Sequence, residues 1–141
     1  MELININPIL DDVLEIYSQN KCWDLRNDVD FLKVSYNVIE KSAILIWQFP
    51  SDWYLKQYKI KESKKFLEFY FENVDFFEID SSDIYGLKSD IIVLEGIHNY
   101  YEKKDGTIEN NNFITFIFGN GLKVIIKADI LRFQVISSFL K

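Results

Sequence analysis

The chain is most informative in what it has little of. Among its 141 residues there is one cysteine, Cys22, so no internal disulfide and no cysteine-based metal site can form. Alanine appears only as Ala43 and Ala128, and no segment approaches eighteen uninterrupted apolar residues, the length needed for a membrane-spanning helix. The first ten residues, MELININPIL, lack the basic stretch and long apolar run of a secretory signal. The expected location is therefore cytoplasmic, with no membrane partner. Glycine is sparse too, five residues in all, and no Gly-x-Ser-x-Gly elbow nominates a catalytic serine.

Rings and branched side chains take the place of the small residues. Aromatics make up 16% of the chain and charged residues 27%, and 48% is hydrophobic. Such residues suit a pleated, half-buried surface better than a helix. At this length a single domain spanning 1–141 is expected, large enough to bury its own core. No internal repeat or low-complexity linker divides it.

Periodicity assigns the elements. Asn7-Pro8 offers an N-cap and a proline at the first helical position, and Ile9, Leu10, Val13, Leu14, Ile16 and Tyr17 repeat at helical spacing. The spacing predicts a helix over 7–19. From Leu32 the period becomes two: Leu32, Val34, Tyr36 and Val38 point one way, Lys33, Ser35 and Asn37 the other. After a turn at Glu40-Lys41, residues 42–49 (SAILIWQF) are apolar on both sides and predict a strand that is central in its sheet or covered on both faces. Residues 53–63 fit either a short strand or an irregular crossing.

Residues 65–71 predict a strand that sends Leu67, Phe69 and Phe71 to the core and Glu68, Tyr70 and Glu72 outward. A bulge is expected at 73–75, with Phe77 and Ile79 resuming the strand and a loop at 81–86. Further strands are predicted at 91–101, 113–118, 122–128 and 130–140. Asp105-Gly106 and Gly119-Asn120-Gly121 supply the turns. The expected fold is mainly β (α+β): an antiparallel sandwich or curved sheet of about seven or eight strands with one N-terminal helix.

Candidate chemistry is thin. His98 is the only histidine, set within a predicted strand, and would act as a general base only in a cleft beside Asp, Glu or Ser. Gly119-Asn120-Gly121 precedes strand-like sequence and reads as a hairpin turn, not a phosphate loop. Residues 75–83, DFFEIDSSD, lack the ligand spacing and central glycine of an EF-hand, so a solvated loop is preferred to a calcium site. Residues 53–61, WYLKQYKIK, mix rings and lysines, but a net charge of −6 argues against nucleic-acid binding. No cofactor is expected, and no catalytic or metal residues are assigned.

That charge is concentrated. Between residues 68 and 90, Glu68, Glu72, Asp75, Glu78, Asp80, Asp83 and Asp90 face one base, Lys88, so this window carries −6 while the remainder is neutral.

The order of segments resembles the immunity proteins of bacterial polymorphic-toxin systems, in particular the immunity protein 50 group. The stretches that carry the likeness are ILDDVLEIY, the paired FLKVSYNVIE and SAILIWQF, the crossover SDWYLK, the strand FLEFYFENVDFFEI and the tail GNGLKVIIKADILRFQVISSF. The similarity spans most of the chain and is one of layout and hydrophobic rhythm. It implies a non-enzymatic protein that binds and neutralises a cognate toxin made by the same cell, often a basic nuclease. On that reading Glu68, Tyr70, Glu72, Asp75, Asp80 and Asp83 form the candidate partner-binding surface. The alternative is a small-ligand binding β module with a deep apolar cavity. Exposed strand edges could also pair two copies across a two-fold axis.

Overall fold

A computed structural model of the chain describes residues 1–61, 63–81 and 92–138. The strands in chain order are β1 (Glu2–Ile4), β2 (Glu15–Ser18), β3 (Lys21–Asp24), β4 (Asp30–Asn37) and β5 (Ser42–Gln48). Helix α1 (Asp52–Gln57) follows, then β6 (Phe66–Asp80), β7 (Leu94–His98), β8 (Tyr101–Glu102), β9 (Ile108–Glu109), β10 (Phe113–Phe118) and β11 (Lys123–Ile136). The main sheet runs β4-β5-β6-β11-β10-β7 and is antiparallel throughout, with β1 added in parallel to the far half of β11. It curls into a half-barrel, the mainly β fold expected of the composition.

The curl has an identifiable cause in the long β6–β11 pair. Core side chains alternate as Leu67, Phe69, Phe71 and then skip to Val74; opposite them Phe133 and Leu131 skip to Ala128, Ile126 and Val124. Both strands thus turn a corner together at the exposed residues Asn73 and Asp129. Asn73 takes a left-handed φ of 54°. One residue on, Asp75 is the extra residue of a bulge, since Val74 pairs with Ala128 and Phe76 with Lys127. The bulge stands where residues 73–75 predicted it. A left-handed φ penalises branched side chains, so Asn73→Val should cost about 1–2 kcal/mol in urea denaturation, with Asn73→Gly near neutral.

The N-terminal helix expected over 7–19 does not form. Asp12 has a positive φ of 54°, and Val13 instead bridges to Ile97 on the edge of β7, with N–H···O distances of 3.2 and 2.8 Å. Gln19 and Asn20, both at positive φ (53° and 61°), make the tight turn between β2 and β3. The helical spacing was genuine, but an unpaired sheet edge offered those backbone groups a better partner. The helix lies at α1, in the stretch that sequence left between strand and crossing. Asp52 in its first turn and Lys56 in its last complement its dipole.

Two other boundaries differ. Residues 122–128 and 130–140 were read as separate strands, yet β11 runs unbroken through both as far as Ile136. Residues 91–101 divide into β7 and β8, and β8 pairs with β9 around Gly106, which has φ 86°. Beyond Ser81, the expected loop at 81–86 lies outside the described residues.

Aromatic rings fill the concavity. Trp47 meets Phe69 at 5.2 Å and Phe116 at 5.9 Å between ring centroids, and Phe69 meets Phe133 at 5.4 Å. Trp23 brings the separate β2–β3 hairpin onto this core, and Leu55 does the same for α1. Tyr58 lies stacked on Trp23, donates to Asp28 at 2.6 Å and accepts the Asp24 N–H at 3.1 Å. Burial, and then the Asp28 carboxylate, push its phenol well above the usual tyrosine range. Strand β5 is covered on both faces as expected, with Leu45 and Ile46 both buried. No helix among the described residues is long and apolar enough to cross a membrane.

Candidate functional site

Of the six acidic and aromatic positions nominated on and after β6, the five that are described differ in their surroundings. Glu68, Tyr70 and Glu72 do share the sheet face opposite the aromatic core, but Glu68 does not look outward. It is 6% exposed and accepts a hydrogen bond from the Gln134 side chain on β11. Ile46, its register partner on β5, is buried beside it, so this part of the second face is covered. Glu72 is partly exposed and paired with Arg132 at 2.9 Å. Asp75 stands exposed on the bulge. Asp80 pairs in register with Lys123 at the far end of β6, and Asp83 lies outside the described residues.

Tyr70 is the position that opens onto a surface. Its register partners are Ile44 and Arg132, and with Ile44 it floors a groove of about 590 Å³ beside the β4–β5 hairpin. Val38 and Ile39 rise at the hairpin tip, 72% and 93% exposed. Such exposure of adjacent aliphatics is unfavourable in water, yet the turn is held rigid. The Asn37 carboxamide oxygen accepts the N–H groups of Ile39 (3.1 Å) and Glu40 (3.0 Å). The Val74 N–H donates to the Lys41 carbonyl at 2.9 Å, which seats the tip against the corner that carries Asp75.

Sequence reasoning missed this prong. Val38 was assigned to the inward face of a strand that in fact ends at Asn37, and Leu32 leaves the same face at a register shift after Phe31. The available signal was two aliphatics directly before the polar turn Glu40-Lys41.

A second cleft, of about 490 Å³, lies between the sheet face of β10 and β11 and the β8–β9 hairpin. Asp80, His98, Tyr101, Thr115 and Lys123 line it. His98 is largely covered, with Nδ1 2.8 Å from the Asp11 carboxylate and Nε2 4.0 Å from that of Asp12. Gly96 makes room for this arrangement, since a Cβ there would fall 2.9 Å from Asp12 Oδ1. Tyr101 donates to Glu78 at 3.3 Å across one wall.

No protein-family model, curated protein or solved structure matches the chain. What each site can do therefore rests on its own chemistry. The condition for a histidine base is met in part, because His98 sits in a cleft beside Asp11. However, both ring nitrogens face carboxylates, and the Thr115 hydroxyl donates to the Tyr100 carbonyl at 2.7 Å rather than toward the ring. The arrangement pins the N-terminal turn to β7.

Cys22 is exposed, and its thiol donates to Glu15 at 3.0 Å. Partial desolvation, and then the Glu15 carboxylate, raise its pKa, which opposes the thiolate a nucleophile needs. Gly119-Asn120-Gly121 is the hairpin turn its sequence predicted, with Gly121 at φ 91° and the Asn120 side chain accepting the Leu122 N–H. Among the described residues no group of three or more His, Cys, Asp or Glu side chains is placed to hold a metal ion.

Proposed function

We propose that the chain is a non-enzymatic, immunity-type protein that binds and neutralises a basic toxin domain made by the same bacterial cell. Its contact surface is the β4–β5 hairpin tip with the Tyr70 groove, flanked by Glu72 and Asp75. The observation that carries this reading is the rigid, solvent-facing prong of Val38 and Ile39 beside a groove floored by Ile44 and Tyr70. Interfaces place such apolar and aromatic anchors at the centre and polar groups at the rim. A rigid prong also loses little entropy on binding.

The rim carries both signs, with Glu40 and Asp75 near Lys33 and Lys41, so local charge contributes register more than affinity. The net charge of −6 instead steers a basic partner toward the surface. The small-ligand alternative calls for a deep apolar cavity. The Tyr70 groove is open to solvent and the His98 cleft is walled largely by polar side chains, so the inhibitor reading is preferred.

The experiment asks whether the gene beside this one encodes a toxin domain that co-purifies with the chain, and then measures association kinetics. Glu40→Lys with Asp75→Lys changes the formal charge from −6 to about −2 and leaves the prong intact. Association at low salt should slow about tenfold, the difference should shrink at high salt, and dissociation should hardly change. Failure to co-purify, or an association rate that ignores both the charges and the salt, contradicts the proposal.

A further inference from the structure

A third cavity, of about 280 Å³, opens where α1 and the segment after it approach the β2–β3 turn and the end of β11. Its walls carry four ammonium groups, those of Lys21, Lys59, Lys61 and Lys64, together with the amides of Gln19 and Gln134 and part of the Trp23 indole. Among the described residues, no carboxylate lines it. In a protein of net charge −6 this is a local inversion of sign, and four like charges around one concavity repel one another.

The surrounding structure holds them there. Lys21 Nζ donates to the Tyr58 carbonyl at 2.7 Å and sits 5.6 Å from the centre of the Trp23 ring. Lys59 occupies the left-handed position after α1, φ 56°, with the Ile60 N–H closing back on the Leu55 carbonyl at 2.9 Å. Glycine is the usual residue at that position because a side chain there is strained, and here a lysine takes it. The Lys64 N–H bonds the Lys61 carbonyl at 2.8 Å, a turn that keeps both residues on the cavity wall. Among the described residues, Lys59, Lys61 and Lys64 form no ion pair with a carboxylate.

We propose that this cavity binds a compact polyphosphate, of the size of pyrophosphate or triphosphate. Ammonium groups act as point charges suited to phosphate oxygens; the Gln19 amide adds hydrogen-bond donors, and so does the second N–H of Gln134, whose first donates to Glu68. The small volume limits the ligand to a few phosphoryl groups. The acidity of the rest of the chain opposes a long polyanion such as a nucleic-acid strand, which needs a continuous basic track. The site is separate from the Tyr70 groove and stands or falls independently of the toxin-binding reading.

The test is a titration of the intact protein with triphosphate, followed by backbone amide resonances at matched ionic strength, with sulfate and a short single-stranded DNA as comparisons. Saturable shifts are expected at Gln19, Lys61 and Gln134, with half-saturation at least tenfold lower for triphosphate than for sulfate. Lys59→Gln with Lys61→Gln should weaken triphosphate binding about tenfold or more, whereas Lys56→Gln, which changes a lysine outside the cavity, should not. The same spectra report whether each variant is folded. Equal responses to sulfate and triphosphate, shifts centred elsewhere, or binding that survives the double substitution would overturn the proposal. DNA binding tighter than triphosphate would overturn it in favour of a strand-binding site.

Discussion

Trp23→Ala is expected to cost about 3–5 kcal/mol, a large share of the roughly 5–15 kcal/mol that holds a typical domain together. The residue sits on a four-residue strand that pairs, among the described residues, with β2 alone, outside the main sheet. This indole, with Ile16 of β2 and Leu25 just after β3, buries the hairpin against the half-barrel core. It is 1% exposed, stacks on Tyr58 at 5.1 Å with 7° between planes, and meets Phe133 of β11 at 5.6 Å and Phe49 at 6.4 Å. Its N–H donates to the Ser18 carbonyl at 3.3 Å. Alanine would leave a cavity joined to three rings, and the tilted and stacked pairs would lose their geometry as well as their buried area. Urea denaturation measures the loss directly. A cost below about 1 kcal/mol would mean that the hairpin and α1 fold independently of the sheet.

The second large effect is on binding. Ile39→Asp combined with Tyr70→Ala should weaken the proposed toxin complex by about 2–4 kcal/mol, or roughly 30- to 1,000-fold. The first change places a charge at the centre of an apolar contact, and the second removes the ring that floors the groove. Folding should be little affected, because Ile39 is 93% exposed and Tyr70 lies on the face opposite the aromatic core. Trp53→Ala serves as the comparison: that ring is 60% exposed on α1 and does not line the groove, and its loss should leave affinity unchanged. Equal losses from both substitutions would place the interface on the helix side.

The sheet was legible in the chain because period-two alternation and turn chemistry are local. Residues 113–128 with their Gly-Asn-Gly turn, the 42–49 strand with two apolar sides, and the bulge at 73–75 all follow from neighbouring residues alone. The failures share a cause: they were decided by partners distant in sequence. Residues 9–17 have helical spacing, but the edge of β7, more than eighty residues away, recruits Val13. Glu68 reads as the wet side of a strand, yet β5 and β11 close over it with Ile46 and Gln134. Exposure at Val38 and Ile39 depends on where β4 stops, and strand ends are set by the register of the pair more than by composition.

Hydrogen exchange of the chain with and without the toxin domain proposed as its partner tests the central claim most directly. The amides of residues 33–44 and 70–75 should exchange more slowly in the complex, because the prong and groove are then covered. Protection confined to the His98 cleft, to α1, or to neither of those two segments would contradict the assignment of the contact surface.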